Sequence, residues 1–139
     1  MREEFVSNCE KDTISFAKSL SKSLTPGSVI SLFGDLGVGK THFVKGIAEG
    51  LEYRGDVTSP TFNIVNEYLG GKLNIYHFDM YRITGWDDLY STGYFEYIEN
   101  GGVVITEWSE NIEGALPSDT IKVTITRIDD TKRKIIVER

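Results

Sequence analysis

An α/β fold, with a central mixed β-sheet flanked by helices in one domain spanning residues 1–139, is predicted by three features of this chain. A strand-like run, SVISLF, is followed at once by GDLGVGKT, residues Gly34 to Thr41, and then by THFVKGIAEGL with helical periodicity. Two further short apolar runs, NIYHF and VVIT, each end near a single acid, Asp79 and Glu107. Towards the end, TIKVTITRI alternates with period two, DDT supplies a turn, and KRKIIVER resumes as a strand.

The elements follow in order. Ile14, Ala17, Leu20 and Leu24 recur near helical spacing, and Thr25, Pro26 and Gly27 then break the pattern, so the first element is an amphipathic helix ending in a turn. The strand, glycine loop and helix come next. FNIVNEYL and KLNIYHFD flank Gly70 and Gly71 and read as a β-hairpin. GWDDLYSTGYFEYIEN is helical or mixed, and Gly101 and Gly102 lead into the buried strand VVITEW. No element is assigned to the opening MREEFVSNCEKD, which is too charged for a signal peptide.

Composition narrows the function classes. A chain of 139 residues is long enough to bury about two thirds of the surface its unfolded form exposes. Fifteen basic against 21 acidic residues give a net charge of -6, the wrong balance for a protein that neutralises many nucleic-acid phosphates by itself. Any RNA is expected to be held by a partner. Cys9 is the single cysteine, which excludes an intramolecular disulfide and a multi-cysteine metal site. The apolar runs are far too short to span a membrane, and a cytoplasmic location is expected.

GDLGVGKT fits G-x-x-x-x-G-K-[ST] at Gly34, Gly39, Lys40 and Thr41, a pattern that arises by chance in a chain this long roughly once in two hundred sequences. The fold expectation thereby sharpens to a P-loop NTPase domain. Glycines let the backbone turn so that successive N–H groups face phosphate oxygens, and the following helix adds the positive end of its dipole. Lys40 would meet the β- and γ-phosphates. The Thr41 hydroxyl would be one ligand of Mg²⁺, which needs further carboxylate or water ligands to complete an octahedron.

Asp79 and Glu107 both qualify as that carboxylate, because ligands gather at strand ends in open α/β sheets, and the sequence does not choose between them. In SPTF, Ser59 to Phe62, Pro60 pushes Ser59 towards an extended conformation, and Thr61 offers a hydroxyl of the kind switch segments use, or simply a strand-entry turn. His42 and His77 read as structural or surface groups, since neither has a second histidine or cysteine at ligand spacing. Trp86 and Trp108 fit a core or a contact surface equally well. No arginine stands out as an internal finger, Arg54 and Arg82 being the ones on offer. ATP is preferred over GTP because no guanine-reading N-K-x-D or T-K-x-D is present. Two other functions fit the same loop: a small-molecule kinase, for which the chain has little length to spare, and a binding module gated by ATP.

In combination, GDLGVGKT, SPTF, HFDMYR (His77 to Arg82) and TEWSE (Thr106 to Glu110) resemble the TsaE family, formerly YjeE, from about Thr13 to the end of the chain. The resemblance implies an Mg²⁺-dependent ATPase required for threonylcarbamoyladenosine modification at position 37 of tRNAs that read codons beginning with A. It implies action on a complex of TsaB and TsaD type partners, with tRNA met only through that complex. By the same resemblance the phosphate loop falls on Gly34, Asp35, Leu36, Gly37, Val38, Gly39, Lys40 and Thr41, and the metal ligands on Thr41 and Glu107. Asp79 organises the metal or activates water, Thr61 is the switch-like threonine, and Trp108 stands beside the acid. Thr13 lies near the nucleotide, Arg133 near the adenine, and His42 where a second threonine is common.

Overall fold

The computed structural model describes residues 1–35, 37–61 and 63–139; Leu36, within the predicted phosphate loop, and Phe62, the last residue of SPTF, lie outside them. The described residues form β1 (Arg2–Ser7), α1 (Glu10–Ser21), β2 (Val29–Phe33), α2 (Lys40–Gly50), β3 (Val65–Tyr68) and β4 (Ile75–Asp79). They continue with α3 (Trp86–Ser91), α4 (Tyr94–Glu99), β5 (Val103–Glu107), a 3₁₀ segment (Ser109–Ala115), β6 (Ile121–Arg127) and β7 (Arg133–Glu138). All seven strands belong to one mixed sheet in the order β1-β7-β6-β2-β5-β4-β3. The expected α/β class with a mixed sheet is what the chain forms.

Burial explains the sheet order. Nearly every residue of β2, β4 and β5 is buried, as expected for parallel strands covered on both faces. β2 pairs in parallel with β5 and β6, and β5 with β4, so the four strands β6, β2, β5 and β4 carry the parallel core. β6 and β7 are antiparallel and alternate in burial, which matches the period-two pattern of their sequences. Their turn is held by the Asp129 carboxylate, which accepts from the Thr131 and Lys132 amides at 2.9 and 2.8 Å, and these bonds lower its pKa.

One apolar layer lies between the sheet and the α1/α2 pair, with Ala17, Leu20, Phe43, Val44 and Ile47 against Ile30, Leu32 and Ile105. The second covers the opposite face, where Val29, Phe78 and Val104 meet Leu89, Tyr94 and Ile112. Gly46 permits the close approach of the two helices, because a Cβ there would run into the Ile14 carbonyl oxygen.

Two features differ from the expectation, and a third sharpens it. The opening residues form β1, an edge strand paired antiparallel to β7, although its exposed charges hide the strand pattern. The β3/β4 hairpin exists, but Tyr68 pairs with Ile75, so its loop is longer than the glycine pair. Gly71 packs there on Leu51 backbone, with Lys72 N–H donating to Leu51 C=O at 2.7 Å. GWDDLYSTGYFEYIEN resolves into two short helices separated by Gly93 at φ 82°.

Tyr94 is fully buried, its hydroxyl donates to Ala115 C=O at 3.1 Å, and burial pushes its pKa up to about 12. A phenol ordinarily ionises near pH 10, so between about 10 and 12 the unfolded chain releases a proton that the folded chain keeps. Stability from this group is therefore complete below about pH 10 and lost as pH rises to 12, by about 2 kcal/mol at the end of that range. Urea unfolding across this range should show a flatter alkaline decline for Tyr94→Phe than for the wild type.

Candidate functional site

The glycine loop joins the end of β2 to the start of α2 and is shaped by backbone that side chains resist. Gly34, Gly37 and Gly39 have φ of 146°, 81° and 105°. At Gly34 a Cβ would collide with the Ile125 carbonyl, whereas at Gly37 it would meet open space. The loop is thus pinned to β6 at its start and open to solvent further on. Val38, 5% exposed, is the apolar anchor between these points.

Lys40 begins α2 and turns back along the loop. Its Nζ donates to Gly34 C=O at 3.0 Å, stands 3.8 Å from Glu107 Oε1, and lies 5.4 Å from the centre of the Trp108 ring. The Lys40 and Glu107 side chains are 7% and 9% exposed. A desolvated pair at this separation attracts without a full hydrogen bond, so Lys40 is held chiefly by the Gly34 carbonyl. Thr41, the second residue of α2, is half-buried at the helix end where backbone N–H groups lack helical acceptors.

The two acids that the sequence left as alternatives are neighbours. β4 and β5 run parallel with Asp79 opposite Glu107, and Met80 N–H donates to Glu107 C=O at 3.0 Å. Their surroundings differ. Glu107 is buried beside Lys40, while Asp79 is half-buried and accepts the Tyr81 amide at 2.9 Å. Trp108, just after Glu107, has φ 57°, and its ring packs 4.8 Å from that of Tyr81, joining the HFDMYR and TEWSE motifs physically. Ile64, whose carbonyl accepts the Asp79 amide at 2.7 Å, has φ 61°, a conformation that costs a branched residue about 1–3 kcal/mol.

The remaining Glu107 oxygen, Oε2, is bonded to His77 Nε2. His77 is completely buried, and its Nδ1 lies 3.1 Å from the Tyr68 hydroxyl, which is itself 2.8 Å from Thr58 C=O. Burial raises the Tyr68 pKa, so the hydroxyl keeps its proton. Of the structural and surface alternatives for His77 the structure gives a buried residue, and strand alternation puts it on the same face as Asp79. Nothing in the sequence singled out Tyr68.

The nucleotide candidates away from the acids gather elsewhere. Thr13, Gly37, Val38, Gly39, His42 and Arg133 line a cleft of about 460 Å³, within the size range of small-molecule sites. The Thr13 hydroxyl is 2.7 Å from that of Ser7, and Arg133 Nε donates to Val38 C=O at 3.1 Å, clasping the loop to the β6/β7 turn. His42 Nε2 lies 3.3 Å from Glu10 Oε1 and joins α2 to α1. Asp35 is exposed. Thr61 is also exposed, its hydroxyl 2.7 Å from that of Ser59, so its recorded partner is neither the loop nor the acids. Arg54 and Arg82 are exposed. No cluster of three or more histidine, cysteine or acidic side chains able to hold a metal occurs among the described residues, and no helix among them is long and apolar enough to cross a membrane.

A mixed sheet with a glycine loop between a buried strand and a helix, and acids at the adjoining strand ends, defines an α/β protein consistent with the P-loop NTPase fold. Comparison with known proteins makes this more particular. The family model of the threonylcarbamoyl adenosine biosynthesis protein TsaE matches residues 7–135, and the chain belongs to that family. A tRNA threonylcarbamoyladenosine biosynthesis protein TsaE from Bacillus subtilis is 42% identical over 125 residues, 90% of this chain and 78% of that protein. The TsaE of Treponema pallidum is 37% identical over 132 residues, covering 95% and 97%. The crystal structure of Bacillus subtilis YdiB matches with a TM-score of 0.83 at 36% identity, over 99% of this chain and 84% of that one.

Removing one member of a buried charge pair costs more than removing a half-buried acid that accepts a local amide. Glu107→Ala should lower stability by about 3 kcal/mol, and Asp79→Ala by less than about 1 kcal/mol, in urea unfolding at neutral pH.

Proposed function

We propose that this chain is an Mg²⁺-dependent ATPase that serves threonylcarbamoyladenosine modification at position 37 of tRNAs reading codons that begin with A, acting on a complex of TsaB and TsaD type proteins. The observation that supports it most is Lys40, a buried cation drawn back along an open glycine loop towards Glu107. Family membership supplies the pathway, and the net charge of -6 favours contact with tRNA through partners rather than directly.

The residues present fit a nucleotide with its metal. Gly37 leaves the loop open to solvent, where the N–H groups of the first turn of α2 would be available to phosphate oxygens. Lys40 would exchange the Gly34 carbonyl for the β- and γ-phosphates. Thr41 and Glu107 would hold Mg²⁺, which when bound spreads and neutralises phosphate charge. Asp79, opposite Glu107 and more exposed, is positioned to orient water or to complete the metal's surroundings. Thr13, His42 and Arg133 would border the nucleoside end in the cleft. Arg54 and Arg82, the arginines on offer as an internal finger, are both exposed, and turnover is expected to be slow alone and faster when a partner completes the site.

Phosphate release from Mg·ATP should be slow for the purified protein and rise at least tenfold with the TsaB and TsaD homologues of the same cell. Lys40→Ala should abolish ATP binding with the fold intact, and Glu107→Ala should weaken Mg²⁺-dependent binding more than Asp79→Ala. Phosphate appearing on a small acceptor instead would identify a kinase. Modification proceeding through many cycles with a non-hydrolysable analogue would identify an ATP-gated binding module.

A further inference from the structure

Glu107 has two oxygens with different tasks. Oε1 faces Lys40 at 3.8 Å, and Oε2 is held by His77 Nε2. An ionised carboxylate only accepts, so the imidazole serves it by carrying a proton on Nε2. In that tautomer Nδ1 is an acceptor, and the group placed to donate to it is the Tyr68 hydroxyl at 3.1 Å. That hydroxyl has one hydrogen for two acceptors, His77 Nδ1 and Thr58 C=O. When the hydrogen goes to His77, Thr58 C=O keeps another donor, Asn66 Nδ2 at 3.2 Å, and the Thr58 amide still approaches the hydroxyl at 3.3 Å. Every polar group of the path is then satisfied.

The path is buried and ends on a buried carboxylate, whose Oε2 has His77 as its partner. His77 is 0% and Tyr68 3% exposed, and Tyr68 belongs to the apolar layer beneath α1 and α2. A fully satisfied polar network in such a place fixes one orientation for what it touches. What they touch is Glu107 at one end and, at the other, the root of the segment that carries Ser59, Pro60 and Thr61.

We propose that Tyr68 and His77 are a positioning couple that aims Glu107 Oε1 at the loop and ties that carboxylate to the Thr58 backbone, so that filling the loop is felt at residues 57 to 61. The inference rests on the nucleotide and metal reading given above. Neither residue is catalytic, since both act through Glu107. Were Glu107 to hold a metal, any shift of Oε2 would be felt by the imidazole and, through it, by the Tyr68 hydroxyl and Thr58.

The test uses the full chain, a fluorescent non-hydrolysable ATP analogue and two readouts other than turnover. One is the ratio of analogue affinities with and without Mg²⁺, and the other is hydrogen exchange of the amides of Val57, Thr58, Ser59 and Thr61 with and without Mg·analogue. In the wild type, Mg²⁺ should strengthen binding and the analogue should slow exchange in the segment. Tyr68→Phe, which preserves the ring, should cut the Mg²⁺-dependent gain at least fivefold and abolish the exchange response. His77→Leu should do the same, whereas His77→Gln, whose amide still donates to Glu107, should recover most of the Mg²⁺ gain but not the exchange response. Wild-type values of both readouts in Tyr68→Phe would overturn the couple while leaving the ATPase reading intact. Absence of any Mg²⁺-dependent gain in the wild type would overturn the ATPase reading, and the couple's role with it.

Discussion

The contact between Lys40 and Glu107 is the constraint to which the rest of the molecule answers. Two opposite charges removed from water at 3.8 Å do not recover their desolvation cost by themselves, which amounts to several kcal/mol per ion. The protein meets that cost with the Gly34 carbonyl for the ammonium and the His77 imidazole for the carboxylate. Each supporting group comes from a different part of the chain. The site therefore exists only when β2, β4, β5 and α2 are all in place.

Sheet order accomplishes this. β5 lies beside β2, so its terminal acid meets the residue that opens α2, and β4 lies beside β5 with Asp79 in register with Glu107. The backbone around these ends is held in unusual conformations, with Trp108 and Ile64 both in the left-handed region. Such conformations persist where surrounding packing over-determines them, and they cluster at sites that act. Here one follows Glu107 directly and the other bonds the Asp79 amide.

Much of the fold was legible because its rules are local. The loop glycines were readable from spacing, and each takes a positive φ that other residues resist. β6 and β7 showed their alternation openly, and α1 its apolar stripe. β1 was not legible, since REEFVS buries little besides Ser7 and part of Phe5 and owes its strand to β7 at the far end of the chain. The extent of the hairpin was missed at both ends, since left-handed Ile64 takes the chain out of the ladder before Val65 and the loop after Tyr68 packs on the Leu51 backbone. At the site, both acids could be named from strand ends, but choosing between them depends on distance. Lys40 stands beside Glu107, whereas the Asp79 carboxylate is occupied with a local amide. Tyr68 escaped notice because its link to His77 runs across the hairpin and carries no sequence signature.

The most direct measurement is a crystal structure of the protein with Mg²⁺ and a non-hydrolysable ATP analogue. The expected result is Lys40 Nζ moved from Gly34 C=O to the β- and γ-phosphates, with the metal between Thr41, Glu107 and phosphate oxygens. Analogue bound elsewhere, with Lys40 still on the Gly34 carbonyl and Glu107 free of metal, would contradict the account.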